Sequence, residues 1–251
     1  MNAAPLDRVA GLFAGAGRIL FITGAGVSAE SGLPTYRGVG GLYQGQLTDD
    51  GLSIEDALSG VMMSRRPDIA WRYIAQIEEA CRGAQPNAAH CVIADLEREK
   101  PGLSVLTQNV DGLHAEAGSR NLIEIHGTIH RLRCTECPHS RTVPDFTGMR
   151  TPPECPVCGA IMRPDVVLFG EMLPEREIAR LEAVLSHGVD LVVSIGTTSA
   201  FPYIAGPVCW AREAGVPTVE INPGDTEVSH LVDYRLRMRA TEALTEIRRR
   251  M

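Results

Sequence analysis

The sequence predicts an α/β fold: a parallel sheet covered by helices on both faces, with a small cysteine-bearing insert. Three observations carry this expectation. Short β-rich runs alternate with amphipathic helical stretches along the chain. Several of these runs are apolar throughout, as strands buried on both faces are. Their ends read G-A-G, T-Q-N-V-D, I-G-T-T-S and I-N-P-G. Such polar or glycine-rich ends would share the carboxyl edge, where open α/β sheets bind ligands.

Taken in order, residues 5–16 have the spacing of an amphipathic helix, and R-I-L-F-I-T at 18–23 reads as a buried strand ending at glycine. A helix or helical loop is expected at 26–32. Residues 33–60 are rich in glycine and polar side chains, so a long loop is expected, with at most a short helix near I-E-D-A-L-S. Residues 67–82 and 86–100 fit helical periodicity. The second has Pro86 and Asn87 at its start and Pro101 and Gly102 beyond its end. Strands are expected at 103–109 and 121–127, and a strand and loop at 163–171. A helix at 174–188 stops at Gly188. A strand at 190–197, a helix to about 214, a strand at 216–222 and a basic helical tail from about 240 complete the pattern.

The chain has 251 residues, enough for one large domain or a domain with a small insert. Apolar residues make up 44%, so a sizeable core can be buried, and charged residues are 22%. The net charge of -7 argues against a protein that binds the nucleic-acid backbone. It suits a basic peptide substrate, but also mere solubility. No apolar run approaches a membrane span. The apolar N-terminus lacks the basic start of a signal peptide, because Asp7 precedes Arg8, and Arg18 interrupts the run. A cytoplasmic protein with no nucleic-acid or membrane partner is expected.

Gly24, Ala25, Gly26, Val27, Ser28 and Ala29 follow a strand directly and satisfy G-x-G-x-x-A. Glycine there permits a tight turn and close approach to a pyrophosphate, whose charge helix N-terminal N–H groups would meet. Gly-rich strand-to-helix turns are common, so this match alone is weak. A hydride-transfer dehydrogenase should offer a second strand ending in Asp or Glu about 20 residues on. The chain has T-Y-R-G-V-G-G-L-Y-Q-G-Q instead. A P-loop is excluded as well, since no G-K-[ST] follows.

Of the seven cysteines, Cys81, Cys91 and Cys209 stand in apolar or helical contexts and are expected to pack as small hydrophobes. The other four, Cys134, Cys137, Cys155 and Cys158, form two Cys-x2-Cys knuckles. Four thiolates fill a tetrahedral zinc shell and leave no place for water, so a structural zinc is expected. A redox pair or a rubredoxin-like iron centre is the alternative. His139 could stand in for a cysteine, but four suitable thiols are already present. His126, between an apolar strand and this segment, could be a ligand, a buried structural residue or a base. An H-x-x-x-H pairing with His130 would need a helix, which the strand pattern before His126 opposes.

Together these residues resemble the sirtuin family of NAD-dependent protein deacylases, over residues 18 to 240 or so. GAGVSAESGLPTYR (24–37) is similar to GAGxSxxSGIPDFR, TQNVDGLH (107–114) to TQNxDxLH, and EIHGT (124–128) to HG[ST]. The two cysteine pairs, FGE (169–171), GTTS (196–199) and IN (221–222) follow in family order.

The resemblance implies a Rossmann-like NAD-binding domain built from residues 1–39, 86–127 and 163–251. A small domain would combine a helical insert at 40–85 with a zinc ribbon at 128–162, and NAD and acyl-lysine would meet between the two. His126 is then the general base, with a histidine's ordinary pKa suited to proton transfer near neutrality. In the implied chemistry the substrate's acyl oxygen attacks the ribose carbon bearing nicotinamide, and nicotinamide leaves. The base then helps a ribose hydroxyl attack the resulting imidate. Lysine, nicotinamide and acyl-ADP-ribose are the products.

Asn109 and Asp111 would organise the nicotinamide end and Gln108 the ribose, with Val110 between them. Turn capping after a strand is the plainer account of Asn109 and Asp111. Gly24, Ala25, Gly26, Ser28, Glu30, Thr35, Tyr36 and Arg37 would surround the pyrophosphate and nicotinamide ribose. Tyr36 stands where the family has Phe and would shield the reactive carbon. Gly196, Thr197, Thr198, Asn222, Pro223 and Gly224 would receive the adenosine half. Val167, Leu168, Phe169 and Gly170 would take the substrate backbone as an added strand.

Thr35 replaces the motif's usual Asp, as in the branch that removes succinyl and malonyl groups. That branch reads its acidic acyl group with a Tyr-x-x-Arg on the helix before P-N-A-A-H. Here Tyr73 is followed by Gln76, and Arg72 precedes it. An acidic acyl group would lack its charge-assisted partner. Acetyl or another uncharged acyl is therefore expected, with desuccinylation or demalonylation and mono-ADP-ribosyl transfer as alternatives. A zinc-ribbon module that binds nucleic acid is disfavoured by the acidic chain and the lack of interleaved aromatics.

Overall fold

The computed structural model describes residues 3–34 and 47–251. The chain opens with α1 (Ala3–Gly15), β1 (Ile19–Thr23) and α2 (Ala25–Ser28), which runs into a 3-10 turn at Ala29–Ser31. Then come α3 (Ile54–Ala57), α4 (Gly60–Arg65), α5 (Pro67–Cys81) and α6 (Ala88–Glu99). Ser53 and Ser59 cap α3 and α4, each accepting a backbone N–H in the first turn. Asn87 and His90 form a reciprocal capping box at the start of α6. β2 (Ser104–Thr107), α7 (Leu113–Glu116), β3 (Leu122–Glu124), β4 (Gly127–Cys134), β5 (Ser140–Thr142) and β6 (Met162–Val166) follow. The last part is α8 (Glu175–Ser186), β7 (Leu191–Ile195), α9 (Pro202–Glu213), β8 (Thr218–Ile221), β9 (Tyr234–Leu236) and α10 (Ala240–Arg250).

The large sheet has the order β3-β2-β1-β7-β8-β9. All of its pairings are parallel. β1, β2, β7 and β8 are buried at every position. Alternate side chains explain why. Ile19 and Phe21 join a core with α1, α6 and α10, whereas Leu20 and Ile22 join a second core with α8 and α9. A strand covered on both faces has no place for polar alternation. The expected sheet is therefore present, with β9 as an additional strand, but the strand expected at 163–171 is β6 and pairs in the small sheet instead.

The small sheet is antiparallel, β5-β4-β6. The strand expected at 121–127 is two elements: β3 ends at Glu124, and β4 begins at Gly127 and turns away into the small sheet. The expected domain boundary at 127/128 thus falls within β4, and that at 162/163 within β6. A third core joins α3, α4 and α5 to the small sheet, with Trp71 fully buried. The Trp71 indole N–H donates to the Met162 carbonyl at 3.0 Å, and its ring packs 5.4 Å from Phe146. The helical segment and the ribbon are one packed unit through this residue. Among its described residues, the long loop expected at 33–60 holds one short helix, α3, within I-E-D-A-L-S, and α4 begins where it ends, at Gly60. Among the described residues no helix is long and apolar enough to cross a membrane.

Truncating so large a buried ring leaves a cavity as well as an unpaired carbonyl. Trp71→Ala is expected to lower stability by about 3–5 kcal/mol in denaturant titration, whereas a loss under about 1 kcal/mol would show that the ribbon and helices are held by something else.

Candidate active site

The carboxyl ends of β1, β2, β7 and β8 open into one cleft of about 1240 Å³. That exceeds a typical pocket for one small molecule. Its floor is a contact between two strand-end loops. The Gly26 N–H donates to the Gly196 carbonyl at 2.8 Å. A Cβ on Gly26 would lie 2.7 Å from the Gly196 Cα, and one on Gly24 2.8 Å from the Thr197 Cβ. Gly196 itself has φ +63°, and a Cβ there would lie 2.5 Å from the Val27 nitrogen. The glycines of G-x-G are thus required by backbone-to-backbone packing, even before any ligand is considered. α2 is only four residues long, so an anion here would meet loop amides rather than the field of a long helix.

The loop after β2 is fastened to the first of these. Asn109 Nδ2 donates to the Gly24 carbonyl at 3.2 Å and to Ser28 Oγ at 3.0 Å. Ser28 Oγ donates to Asp111 Oδ2 at 2.7 Å, while Asp111 Oδ1 accepts the Leu113 N–H. Asp111 is therefore both a turn cap and an anchor for Ser28. Gln108 Nε2 bridges the Thr23 carbonyl and Thr197 Oγ1, at 3.2 and 2.8 Å. Asn222 Nδ2 reaches the Thr197 carbonyl at 3.0 Å, and its Oδ1 accepts the Gly224 N–H. Ala25, Val110, Thr198 and Pro223 also line the cleft. Glu30 lines it too, but its carboxylate accepts the Thr241 N–H at the start of α10. Thr35, Tyr36 and Arg37 lie outside the described residues.

His126 sits in the turn between β3 and β4 and faces the cleft. The glycine that follows it cannot be replaced cheaply. Gly127 has φ +77°, and a Cβ there would lie 1.9 Å from the Asp165 carbonyl oxygen. The imidazole Nδ1 is 3.0 Å from the Gln108 carbonyl, and Nε2 is 2.8 Å from the Tyr203 hydroxyl. A carbonyl only accepts, so Nδ1 carries the proton and Nε2 holds the lone pair. Burial pushes the His126 pKa below its ordinary value, with the Gln108 carbonyl acting weakly the other way. The ring is thus neutral near pH 7, with a lone pair free to accept a proton. Phe201 and Tyr203 stack at 5.3 Å, and His126 stands edge-on to both.

The cleft's other wall comes from the small unit. Ile74, Ile77 and Cys81 line it from α5, with Ile54, Leu58, Val110 and Ile129. Burial raises the Cys81 thiol to about 11, so it is neutral there. Tyr73 is not on this face. It is buried, and its hydroxyl donates to Asp50 Oδ2 at 2.6 Å, where Arg72 also pairs with Asp50. The turn at 167–170 runs along the mouth. Its Val167 N–H goes to the His126 carbonyl, and Phe169 exchanges bonds with Leu58 and Gly60. Glu171, gripped by Arg163 at 2.5 Å, accepts the Leu168 N–H and holds this turn closed.

Away from the cleft, the Sγ atoms of Cys134, Cys137, Cys155 and Cys158 lie within 4.8 Å of one another. The Glu136 backbone N–H lowers the Cys134 thiol to about 6, which favours thiolate. Four thiols converging on one point fit a structural zinc. His139 is not in the cluster, and His130 lies on β4, where no helix brings it to His126. Of the other cysteines, Cys81 and Cys209 are half-buried, but Cys91 is exposed on α6, contrary to the expected packing. Tyr203, Phe201, Ile74 and Ile77 line the cleft too, and the sequence marks them only weakly. Only the F-P-Y run beside G-T-T-S-A hinted at aromatics near the cleft.

A family model described as the Sir2 family matches residues 24–201. "NAD-dependent protein deacylase 2" of Pseudomonas aeruginosa is 48% identical over 247 residues, covering 97% of this chain and 96% of that protein. A Sir2 homologue solved as an NAD complex superimposes with a TM-score of 0.86 at 35% identity, over 97% of this chain and 93% of its own. A Sir2 protein solved with a p53 peptide and NAD gives 0.83 at 26% identity, over 99% and 98%.

The thiol cluster makes its own prediction. The purified protein should carry one zinc per chain, and Cys155→Ser should lose it and lower the melting temperature. A metal-free chain that melts at an unchanged temperature would contradict a structural role.

Proposed function

The chain belongs to the Sir2 family, and we propose that it uses NAD to remove acyl groups from protein lysine, yielding nicotinamide and acyl-ADP-ribose. The observation that carries this reading is the convergence of His126, Asn109, Asp111 and the two glycine loops on one cleft with an apolar far wall. NAD, when bound, supplies a ribose carbon activated by its nicotinamide leaving group. In this reading the chain's residues divide the work. The loop amides at 24–26 and 196–198 face the pyrophosphate and adenosine side, together with Asn222. Asn109 and Asp111, held by Ser28, organise the nicotinamide end. His126 Nε2 takes the proton of a ribose hydroxyl, and the Gln108 carbonyl keeps the other nitrogen protonated throughout.

The peptide carrying the acyl-lysine is read at residues 167–170. Among the described residues, the N–H groups of Val167, Leu168 and Phe169 already have partners. The Val167 carbonyl and the Gly170 peptide groups are left to pair with a substrate strand.

The acyl group enters between α5 and the small sheet. The α5 residues facing the cleft are Ile74, Ile77 and Cys81, on successive turns, and not Tyr73 and Gln76. Among the described residues no cation lies on this wall, and the nearby tyrosine and arginine are committed to Asp50. A carboxylate buried here would lose hydration without a partner. Acetyl, or a larger uncharged acyl group, is the substrate this wall supports.

Two experiments test the proposal. His126→Ala should abolish acyl-ADP-ribose formation while NAD still binds, and near-normal turnover would refute the assigned base. With labelled NAD, label retained on protein would instead favour ADP-ribosyl transfer. On one peptide carrying acetyl, crotonyl or succinyl, the uncharged groups should be favoured, and Ile77→Arg should raise relative succinyl turnover by about tenfold or more. Wild-type preference for succinyl by tenfold would overturn the choice.

A further inference from the structure

His126 does not stand alone in the cleft: both of its ring nitrogens have partners. Nδ1 of His126 is committed to the Gln108 carbonyl, and Nε2 to the Tyr203 hydroxyl at 2.8 Å. Neither ring nitrogen therefore faces the cleft unobstructed. The phenol does face it, since Tyr203 lines the cleft alongside His126 and Phe201. From this geometry we propose that Tyr203 is a proton-relay residue, passing the proton of the substrate's ribose hydroxyl to His126 Nε2. The inference rests on the reading of His126 as the base.

Several features make the phenol suited to this. With Nδ1–H fixed by Gln108, Nε2 presents only a lone pair, so the phenol must donate to it. Its oxygen keeps a lone pair for a second hydrogen bond from the cleft side. Burial raises the Tyr203 pKa, so the group is a neutral hydroxyl rather than a phenolate. The ring is also held in place. It stacks on Phe201 at 5.3 Å with an interplanar angle of 11° and packs against the core beneath α9. Pro202 opens α9, and the turn before it passes through Ser199 at φ +54°, the one non-glycine residue with positive φ among the described residues. Backbone held in so sparsely populated a region is commonly found where a turn must aim a functional group.

The step balances without any further reactant. The O–H bond of the ribose hydroxyl breaks as its proton joins the Tyr203 oxygen. The original phenol proton joins Nε2, and the ribose oxygen keeps its electron pair for attack. Tyr203 ends as the neutral phenol it began as, and His126 ends as an imidazolium.

Tyr203→Phe removes one oxygen and keeps the stacked ring. Two readouts apply. In the NAD-free enzyme, labelled-histidine NMR should show the His126 Nε2 resonance moving toward that of an unbonded imidazole nitrogen, with Nδ1 unchanged. An unmoved Nε2 would show that the phenol is not on it, and would overturn the proposal. In turnover, formation of acyl-ADP-ribose should fall at least about tenfold, while exchange of labelled nicotinamide into NAD stays within about twofold. The double variant with His126→Ala should be no slower than His126→Ala alone. Unchanged or faster product formation in Tyr203→Phe would make the phenol a mere plug and sink the relay. If His126→Ala itself retains turnover, the reading of His126 as base fails, and the relay fails with it.

Discussion

Two strand-end loops touch where neither has room for a Cβ, and the rest of the site is arranged around that contact. The amide at Gly26 reaches the Gly196 carbonyl only because both residues are bare backbone. This packing fixes the ends of β1 and β7 relative to each other. It also sets where Thr197 offers its hydroxyl to Gln108 and its carbonyl to Asn222. Gln108 in turn presents the carbonyl that orients His126. A chain of short, directional bonds therefore runs from the glycine contact to the imidazole. A displaced loop would misplace the ring without any change in the ring itself.

The second constraint is dielectric. His126 is half-buried in a cleft with an apolar wall and has two aromatic rings beside it. Burial holds the imidazole neutral and makes each hydrogen bond to it count for more than it would in water. On the proposed reading, the low-dielectric surroundings that hold the imidazole neutral would also disfavour a charged acyl group, so proton transfer and substrate choice would share one physical cause. The ribbon takes part at a distance: its thiol cluster and Trp71 shape the small unit from which Ile74, Ile77 and Ile129 project into the cleft.

Much of this was legible in the sequence, for particular reasons. β1, β2, β7 and β8 are apolar at consecutive positions, and only a doubly covered sheet asks for that. The cysteine knuckles announce a closed thiolate shell by spacing alone. β4 was harder, because a register shift between Thr128 and Leu132 breaks the alternation that marks an antiparallel strand. β9 is three residues, Tyr234–Leu236, with one buried side chain, and carries almost no signal. α5 buries residues against both the ribbon and the cleft, so periodicity could not show whether Tyr73 or Ile74 faces the ligand. Tyr203's contact with His126 was hidden for a different reason. Its partner is distant in the chain, and nothing local to P-Y-I-A sets it apart from helix packing.

Proximity of the ribose to the imidazole is what everything else requires, and a structure of the enzyme with NAD and an acyl-lysine peptide tests it most directly. The nicotinamide ribose should lie within one or two hydrogen bonds of the His126 imidazole, and the acyl group against Ile74 and Ile77. A dinucleotide whose ribose sits far from that ring, or an acyl chain directed away from α5, would contradict it.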